Sequence, residues 1–141
     1  LLTGEYLVME GAKALAIPLK PGQYLKVEKI LRPQRELVWY ALKPDGAWFS
    51  ARYTLPDLRC TENTHDALSQ SLIKLLQKVK DINPEFFSGN ESYKVETQLE
   101  FNPEFGFGSS STLVSNLAYW ANVDPFELQF LALGGSAYDV A

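Results

Sequence analysis

Cysteine and long hydrophobic runs are scarce in this sequence. Cys60 is the single cysteine among 141 residues, which excludes an internal disulfide and favours a reducing compartment. Every apolar stretch is shorter than the roughly 20 residues that a membrane-spanning helix needs. No signal-peptide pattern is visible either. These absences predict a cytoplasmic protein that has no membrane partner.

Positive charge is limited as well. Lysine and arginine total 13 against 17 aspartates and glutamates, which gives a net charge of −4 at pH 7. Because nucleic-acid phosphates require clustered basic side chains, this balance argues against a nucleic-acid partner. The largest basic cluster, Lys74, Lys78 and Lys80, falls on a predicted helix and is interpreted as a solvated face. The single histidine, His65, is interpreted as a surface residue and not as a catalytic group.

Hydrophobic residues make up 46% of the chain and aromatic residues 13%, which suffices for one domain with a buried core. Alternating apolar and polar residues predict strands. The predicted strands cover residues 24–31, 37–42, 47–55 and 93–101, with two shorter strands within residues 1–16. The sequence Lys43-Pro44-Asp45-Gly46 predicts a hairpin turn between two of them.

Three segments instead have apolar residues at helical spacing. Residues 64–80 predict a first helix, and a second follows residue 112. Residues 124–133 predict a third helix, which begins with a capping aspartate and ends before two glycines. This order of strands and helices indicates an α+β fold, in which helices lie on one face of a mixed sheet.

A glycine- and serine-rich loop joins the last predicted strand to the second helix. Its glycines let the backbone approach a ligand closely, and its serines place hydroxyl and amide groups at a helix N-terminus. The pattern favours an anion-binding site, with a nucleotide phosphate as the anion. The alternative is a plain turn in which Ser109 only caps the helix. The loop reads Pro103-Glu104-Phe105-Gly106-Phe107-Gly108-Ser109-Ser110-Ser111-Thr112.

Two further segments present a carboxylate beside glycines. Asp139 follows Gly134, Gly135 and a short run of small residues, a placement from which it could orient or deprotonate a substrate hydroxyl. Glu5 follows a glycine at the end of a predicted strand. Taken singly, each has an ordinary alternative, because an aspartate can close a turn and a glutamate can lie in a solvated loop.

In this order, the three segments resemble the motifs of the GHMP kinase superfamily, which includes galactokinase, homoserine kinase, mevalonate kinase and phosphomevalonate kinase. Residues 4–16 resemble its first motif, and residues 102–111 its phosphate motif, with Phe107 in place of leucine. Residues 135–141 resemble a later motif, with Ala137 in place of glycine, and are most similar to a mevalonate-kinase-like bacterial subgroup. The resemblance covers the whole chain, so residues 1–141 are expected to form a GHMP-kinase N-terminal ATP-binding domain.

The resemblance implies a small-molecule kinase that uses ATP and Mg²⁺ and transfers the γ-phosphoryl group to a hydroxyl or phosphate of a small metabolite. It implies a ribosomal-protein-like left-handed β-α-β sandwich as the fold. Asp139 matches the catalytic aspartate, Glu5 and Ser136 would lie toward the acceptor, and Ser110 matches the Mg²⁺ ligand. The residues expected to bind the nucleotide are Gly106, Phe107, Gly108, Ser109, Ser110, Ser111 and Thr112.

Two other functions remain open alongside the kinase. One is an ATP-dependent decarboxylase of a phosphorylated mevalonate, and the other is a non-catalytic RNA-binding domain of the same fold. Without the C-terminal domain that would build the other wall of the cleft, residues 1–141 alone are expected to be inactive. Four aromatic residues are assigned to the sheet face, and one of them could shelter an adenine ring: Trp39, Tyr40, Trp48 and Phe49.

Overall fold

A computed structural model describes residues 19–105 and 108–134, which form a five-stranded mixed sheet and three α-helices. This architecture confirms the predicted α+β class. The strands predicted within residues 1–16 lie outside the described residues. The elements are β1 (Gln23–Ile30), β2 (Glu36–Lys43), β3 (Gly46–Thr54), β4 (Cys60–Asn63), α1 (Asp66–Ile82), β5 (Ser92–Leu99), a 3₁₀ turn (Pro103–Phe105), α2 (Ser109–Ala121) and α3 (Pro125–Ala132).

The strand order in the sheet is β1-β5-β2-β3-β4. Strand β5 lies between β1 and β2, pairing antiparallel with β1 and parallel with the central strand β2, and the remaining pairs are antiparallel. Ala41 of β2 lies opposite both Phe49 of β3 and Thr97 of β5, while Gln23 of β1 lies opposite Leu99. These five positions therefore mark one end of the sheet, where β5 leads into the glycine- and serine-rich loop.

The helices cover one face of the sheet. Cross-strand partners share a face, so the pairing of Trp39 with Ala51 and Val95 defines the inner face. These three residues are buried in one hydrophobic cluster with Leu76 of α1 and Leu117 of α2. Burial of this surface is the main term that holds helices and sheet together.

The opposite face of the sheet is polar and carries both signs of charge. Lys94 of β5 lies across from Glu28 of β1, and its ammonium group is 5.9 Å from the ring centroid of Tyr40. Arg52 of β3 lies between two carboxylates, 3.6 Å from Glu36 and 3.5 Å from Glu62. Positive groups on this face are thus interspersed with negative ones.

Several boundaries differ from those that the sequence predicts. Strand β4 was not predicted, because its four residues, Cys60 to Asn63, show no apolar alternation and are mostly exposed. Helix α1 begins at Asp66, two residues after the predicted start, because the Nδ1 atom of His65 accepts the amide hydrogen of Leu68 at 3.4 Å and caps the helix. Strand β1 ends at Ile30, one residue before the predicted end, and Leu31 is 94% exposed.

The two ends of α3 follow the predicted signals. Asp124 is the N-cap, and its carboxylate accepts the amide hydrogen of Glu127 at 2.9 Å. Gly134 has a φ of 69°, and its amide donates back to the carbonyl of Gln129 at 3.1 Å. This left-handed residue ends the helix in the way that glycine favours.

The buried hydroxyl of Tyr53 is expected to make the stability of the fold depend on pH in the alkaline range. Its side chain is fully buried against α1, its hydroxyl lies 3.1 Å from that of Ser69, and burial raises its pKa from 10.0 to about 12. Between pH 10 and 12 the unfolded chain loses this proton while the folded chain keeps it. We therefore expect the free energy of unfolding to fall across this interval by up to about 2–3 kcal/mol.

Urea unfolding at successive pH values from 8 to 11.5 measures this effect. Tyr53→Phe is expected to remove most of the alkaline decrease, whereas Tyr119→Phe, at a 92% exposed position, is expected to leave it unchanged. An equal decrease in all three proteins would contradict the assignment to Tyr53.

Candidate functional site

A cavity of about 840 Å³ lies between the inner face of the sheet and the three helices. It is located at the sheet end marked by Ala41, Phe49, Thr97, Leu99 and Gln23, all of which line it. Its volume falls within the range of natural small-molecule sites. The cavity therefore occupies the part of the fold where the sequence predicts phosphate binding.

A β-bulge brings a further aromatic side chain to this cavity, which Trp39 and Phe49 also line. Ala41 pairs with Phe49, but Leu42 pairs with Ala47, so Trp48 is an extra residue in β3. Bulges re-aim side chains and are common near active sites. Here both Trp48 and Phe49 line the cavity. Consecutive residues of β3 thus contribute to one aromatic wall.

Helix α1 contributes both apolar and cationic groups. Leu68, Leu72 and Leu75 line the cavity at helical spacing. Lys74 and Lys78, hereafter the α1 lysines, line it too. The cavity wall on α1 is therefore apolar along one stripe and positively charged beside it.

The α1 lysines differ from the third member of the predicted basic cluster. Lys80 donates from Nζ to the carbonyl of Pro56 and does not line the cavity. Lys78 Nζ lies 3.8 Å from the carboxylate of Asp81, which also borders the cavity. No carboxylate of the described residues forms an ion pair with Lys74. The three lysines therefore do not form one uniform solvated face, because Lys74 and Lys78 also border the cavity.

The first turn of α2 provides the polar end of the cavity. Gly108 is the N-cap, with a left-handed φ of 78° and no side-chain cap, so Ser109 is the first helical residue and not the cap. Ser109 and exposed Ser110 both line the cavity. The first amides of a helix have no partner within it and form its positive end. We call Gly108, Ser109 and Ser110 the serine turn.

The next two predicted nucleotide-binding residues do not line the cavity. Ser111 is 5% exposed. The Thr112 hydroxyl lies 2.8 Å from Gln23 Oε1 and 3.0 Å from the carbonyl oxygen of Ser109. The structure thus brings Ser109 and Ser110 to the cavity and directs the Thr112 side chain toward β1. Phosphate contacts of Ser111 and Thr112 stay predictions.

Mg²⁺ was expected at Ser110. The described ranges, 19–105 and 108–134, contain no group of three or more histidine, cysteine, aspartate or glutamate side chains that could hold a metal ion. Mg²⁺ often takes only one or two protein ligands and keeps phosphate oxygens and waters for the rest. The exposed hydroxyl of Ser110 fits this pattern as a protein ligand for an ion that arrives with a nucleotide.

The remaining predicted site residues lie outside the described residues: Glu5, Gly106, Phe107, Ser136 and Asp139. Ala132, the last residue of α3, and Leu133, which follows it, line the cavity. Four residues lie between Gly134 and Asp139 in the sequence.

The folded chain brings four further residues to the cavity: Gln23, Trp48 and the two α1 lysines. Gln23 is the first residue of its strand, and no local pattern distinguishes it. The i, i+4 spacing of the α1 lysines is the same on any solvated helix face. Trp48 was partly predictable, because the aromatic side chains of this hairpin were already candidates for contact with an adenine ring.

In the described part of the chain, no helix has the length and apolar character needed to cross a membrane. Comparison of the chain with known protein families, with curated protein sequences and with solved structures finds no match. The resemblance to GHMP kinases therefore rests on the three sequence motifs.

Proposed function

We propose that this protein is a mevalonate-kinase-like GHMP kinase that transfers the γ-phosphoryl group of MgATP to a hydroxyl or phosphate of a small metabolite. One observation carries the proposal: Ser109 and Ser110 of the serine turn line the same cavity as the aromatic wall of Trp48 and Phe49. A nucleoside triphosphate requires both, because its phosphates need amide and hydroxyl donors while its base needs apolar surface.

The phosphates and the base of the nucleotide are assigned to different parts of the cavity. The phosphates bind at the serine turn, where backbone amides and the positive end of α2 stabilise negative charge. The base lies against the aromatic wall and the apolar stripe of α1, Leu68, Leu72 and Leu75. The α1 lysines add positive charge beside this path in a chain whose net charge is −4.

Phosphoryl transfer depends mainly on positioning and on charge stabilisation. When bound, Mg²⁺ neutralises phosphate charge, with Ser110 as a protein ligand. Asp139 orients the acceptor hydroxyl and receives its proton as the acceptor oxygen bonds to the γ-phosphorus and ADP leaves. Glu5 and Ser136 contact the acceptor. For this function the fold is the GHMP-kinase N-terminal domain, a ribosomal-protein-like left-handed β-α-β sandwich.

Calorimetric titration of the full chain with MgATP tests the nucleotide site. Binding is expected with ATP and inorganic tripolyphosphate, with ATP the tighter because the base adds apolar contacts. If neither ligand binds, the proposed function is wrong. With the intact protein and candidate alcohols, ADP and a phosphorylated acceptor are the expected products. Release of CO₂ with ADP would instead identify the decarboxylase.

Charge reversal of the α1 lysines provides a sharper prediction. Lys74→Glu and Lys78→Glu are each expected to weaken MgATP binding about tenfold, a change of ~1.4 kcal/mol. The loss should shrink as salt increases, because these side chains are partly solvated. Lys80→Glu is the matched control on the same helix. Equal affinities for all three variants would show that the α1 lysines do not face the nucleotide.

A further inference from the structure

We propose that Gln23 is a positioning residue that holds the serine turn in the orientation needed to bind phosphate. The inference rests on the proposed function. Gln23 begins β1 and contacts α2 twice. Its side-chain oxygen lies 2.8 Å from the Thr112 hydroxyl, and its backbone carbonyl accepts from the Asn116 amide at 2.8 Å. Residues 112 and 116 are one helical turn apart, so both contacts lie on the same side of α2.

The contact at Thr112 reaches the serine turn directly. The Thr112 hydroxyl also lies 3.0 Å from the carbonyl oxygen of Ser109, and the Thr112 amide donates to the carbonyl of Gly108 at 3.0 Å. The Thr112 hydroxyl thus lies between Gln23 of β1 and the Ser109 carbonyl of the turn, and its single hydrogen is shared between these two acceptors. Loss of the Gln23 side chain would remove the hydrogen bond that joins β1 to this hydroxyl.

Apolar packing does not fix this part of the helix as firmly. The fully buried apolar residues of α2 begin at Val114 and continue through Leu117 and Ala118. The serine turn precedes them, and Ser110 is exposed. Because anion binding depends on the direction of the first amides, a polar link must supply the order that packing supplies later in the helix.

Gln23 also lines the cavity itself. One side chain therefore borders the ligand space and bonds to the helix that would hold the phosphates. This placement predicts that Gln23 and Thr112 act as one unit: removal of either group should reduce phosphate affinity, and removal of both should add little further loss.

The test measures MgATP affinity by calorimetry and the thermal midpoint of the same full-chain variants. Gln23→Ala and Thr112→Val are each expected to weaken binding roughly three- to tenfold. The double variant should bind MgATP no more weakly than the single variant with the lower affinity. Thr112→Ser should retain wild-type affinity. Tyr24→Phe is the control, because it removes a hydrogen bond to Glu100 from the next residue of β1, outside the cavity.

The outcomes separate this inference from the proposed function. If the wild-type chain binds MgATP and the variants lower only the thermal midpoint, Gln23 is structural and the positioning role is wrong. Additive losses in the double variant would also overturn it. If the wild-type chain binds neither MgATP nor tripolyphosphate, the proposed function fails and the positioning role fails with it.

Discussion

Ser110→Ala is expected to lower kcat for phosphoryl transfer about 100-fold or more in the intact protein. Ser110 is the exposed serine of the first turn of α2, and it lines the cavity beside Ser109. Its hydroxyl is the proposed Mg²⁺ ligand, so its loss removes an oxygen that holds the ion against the phosphates. Alanine keeps the helix and its amides, because it favours the α-helical conformation.

Steady-state kinetics at varied Mg²⁺ concentration measure this effect. The Mg²⁺ concentration needed for half-maximal rate should rise in Ser110→Ala, and the thermal midpoint should stay close to that of the wild type. Ser88→Ala, at an exposed loop position that does not line the cavity, is the matched control. Wild-type activity in Ser110→Ala would show that this hydroxyl does not bind the metal.

Asp139→Asn should lower kcat by about 1,000-fold while the affinity for MgATP stays close to that of the wild type. The carboxylate is proposed to orient the acceptor hydroxyl and to take its proton, and asparagine cannot take a proton. Ala132 and Leu133, which precede Asp139 by a few residues in the sequence, line the cavity.

Separate measurement of nucleotide affinity and turnover distinguishes this role from a binding role. Asp45→Asn, in the exposed turn between β2 and β3, should change neither quantity. If Asp139→Asn weakens MgATP binding in proportion to its loss of kcat, the carboxylate holds the nucleotide instead. Full turnover in this variant would remove Asp139 from the catalytic step.

Most of the fold follows from hydrophobic spacing, because each element is periodic over several residues. Alternation predicts β5, and the leucine stripe predicts α1, with errors of one or two residues at the ends. The N-cap of α1 was missed because histidine is a weak capping signal compared with serine or aspartate. Strand β4 was missed because it forms through pairing with β3, not through its own composition.

The candidate site was predictable only where its chemistry lies in one continuous segment. The glycines and serines of the loop predicted an anion site, and Ser109 and Ser110 do line a cavity. The position of Trp48 at the cavity depends on a register shift between β2 and β3. The role of Gln23 depends on a hydrogen bond to Thr112, 89 positions later in the chain. Neither the shift nor that contact leaves a periodic pattern in the sequence.

The exposed face of the sheet gives little support to the RNA-binding alternative. Single-stranded RNA binding uses basic grooves with aromatic side chains for stacking. On this face, Lys26 pairs with Glu28 at 2.9 Å, and Arg52 lies between two carboxylates. Lys26 and Arg52 are neutralised locally, so the helix-covered face with its cavity is the better candidate for ligand binding.

A crystal structure of the protein with Mg²⁺ and a non-hydrolysable ATP analogue tests the assignment of the cavity most directly. We predict the triphosphate at the amides of the serine turn, the ion beside the Ser110 hydroxyl and the base against Trp48 and Phe49. A nucleotide bound elsewhere, with the serine turn free of phosphate, would contradict the kinase proposal.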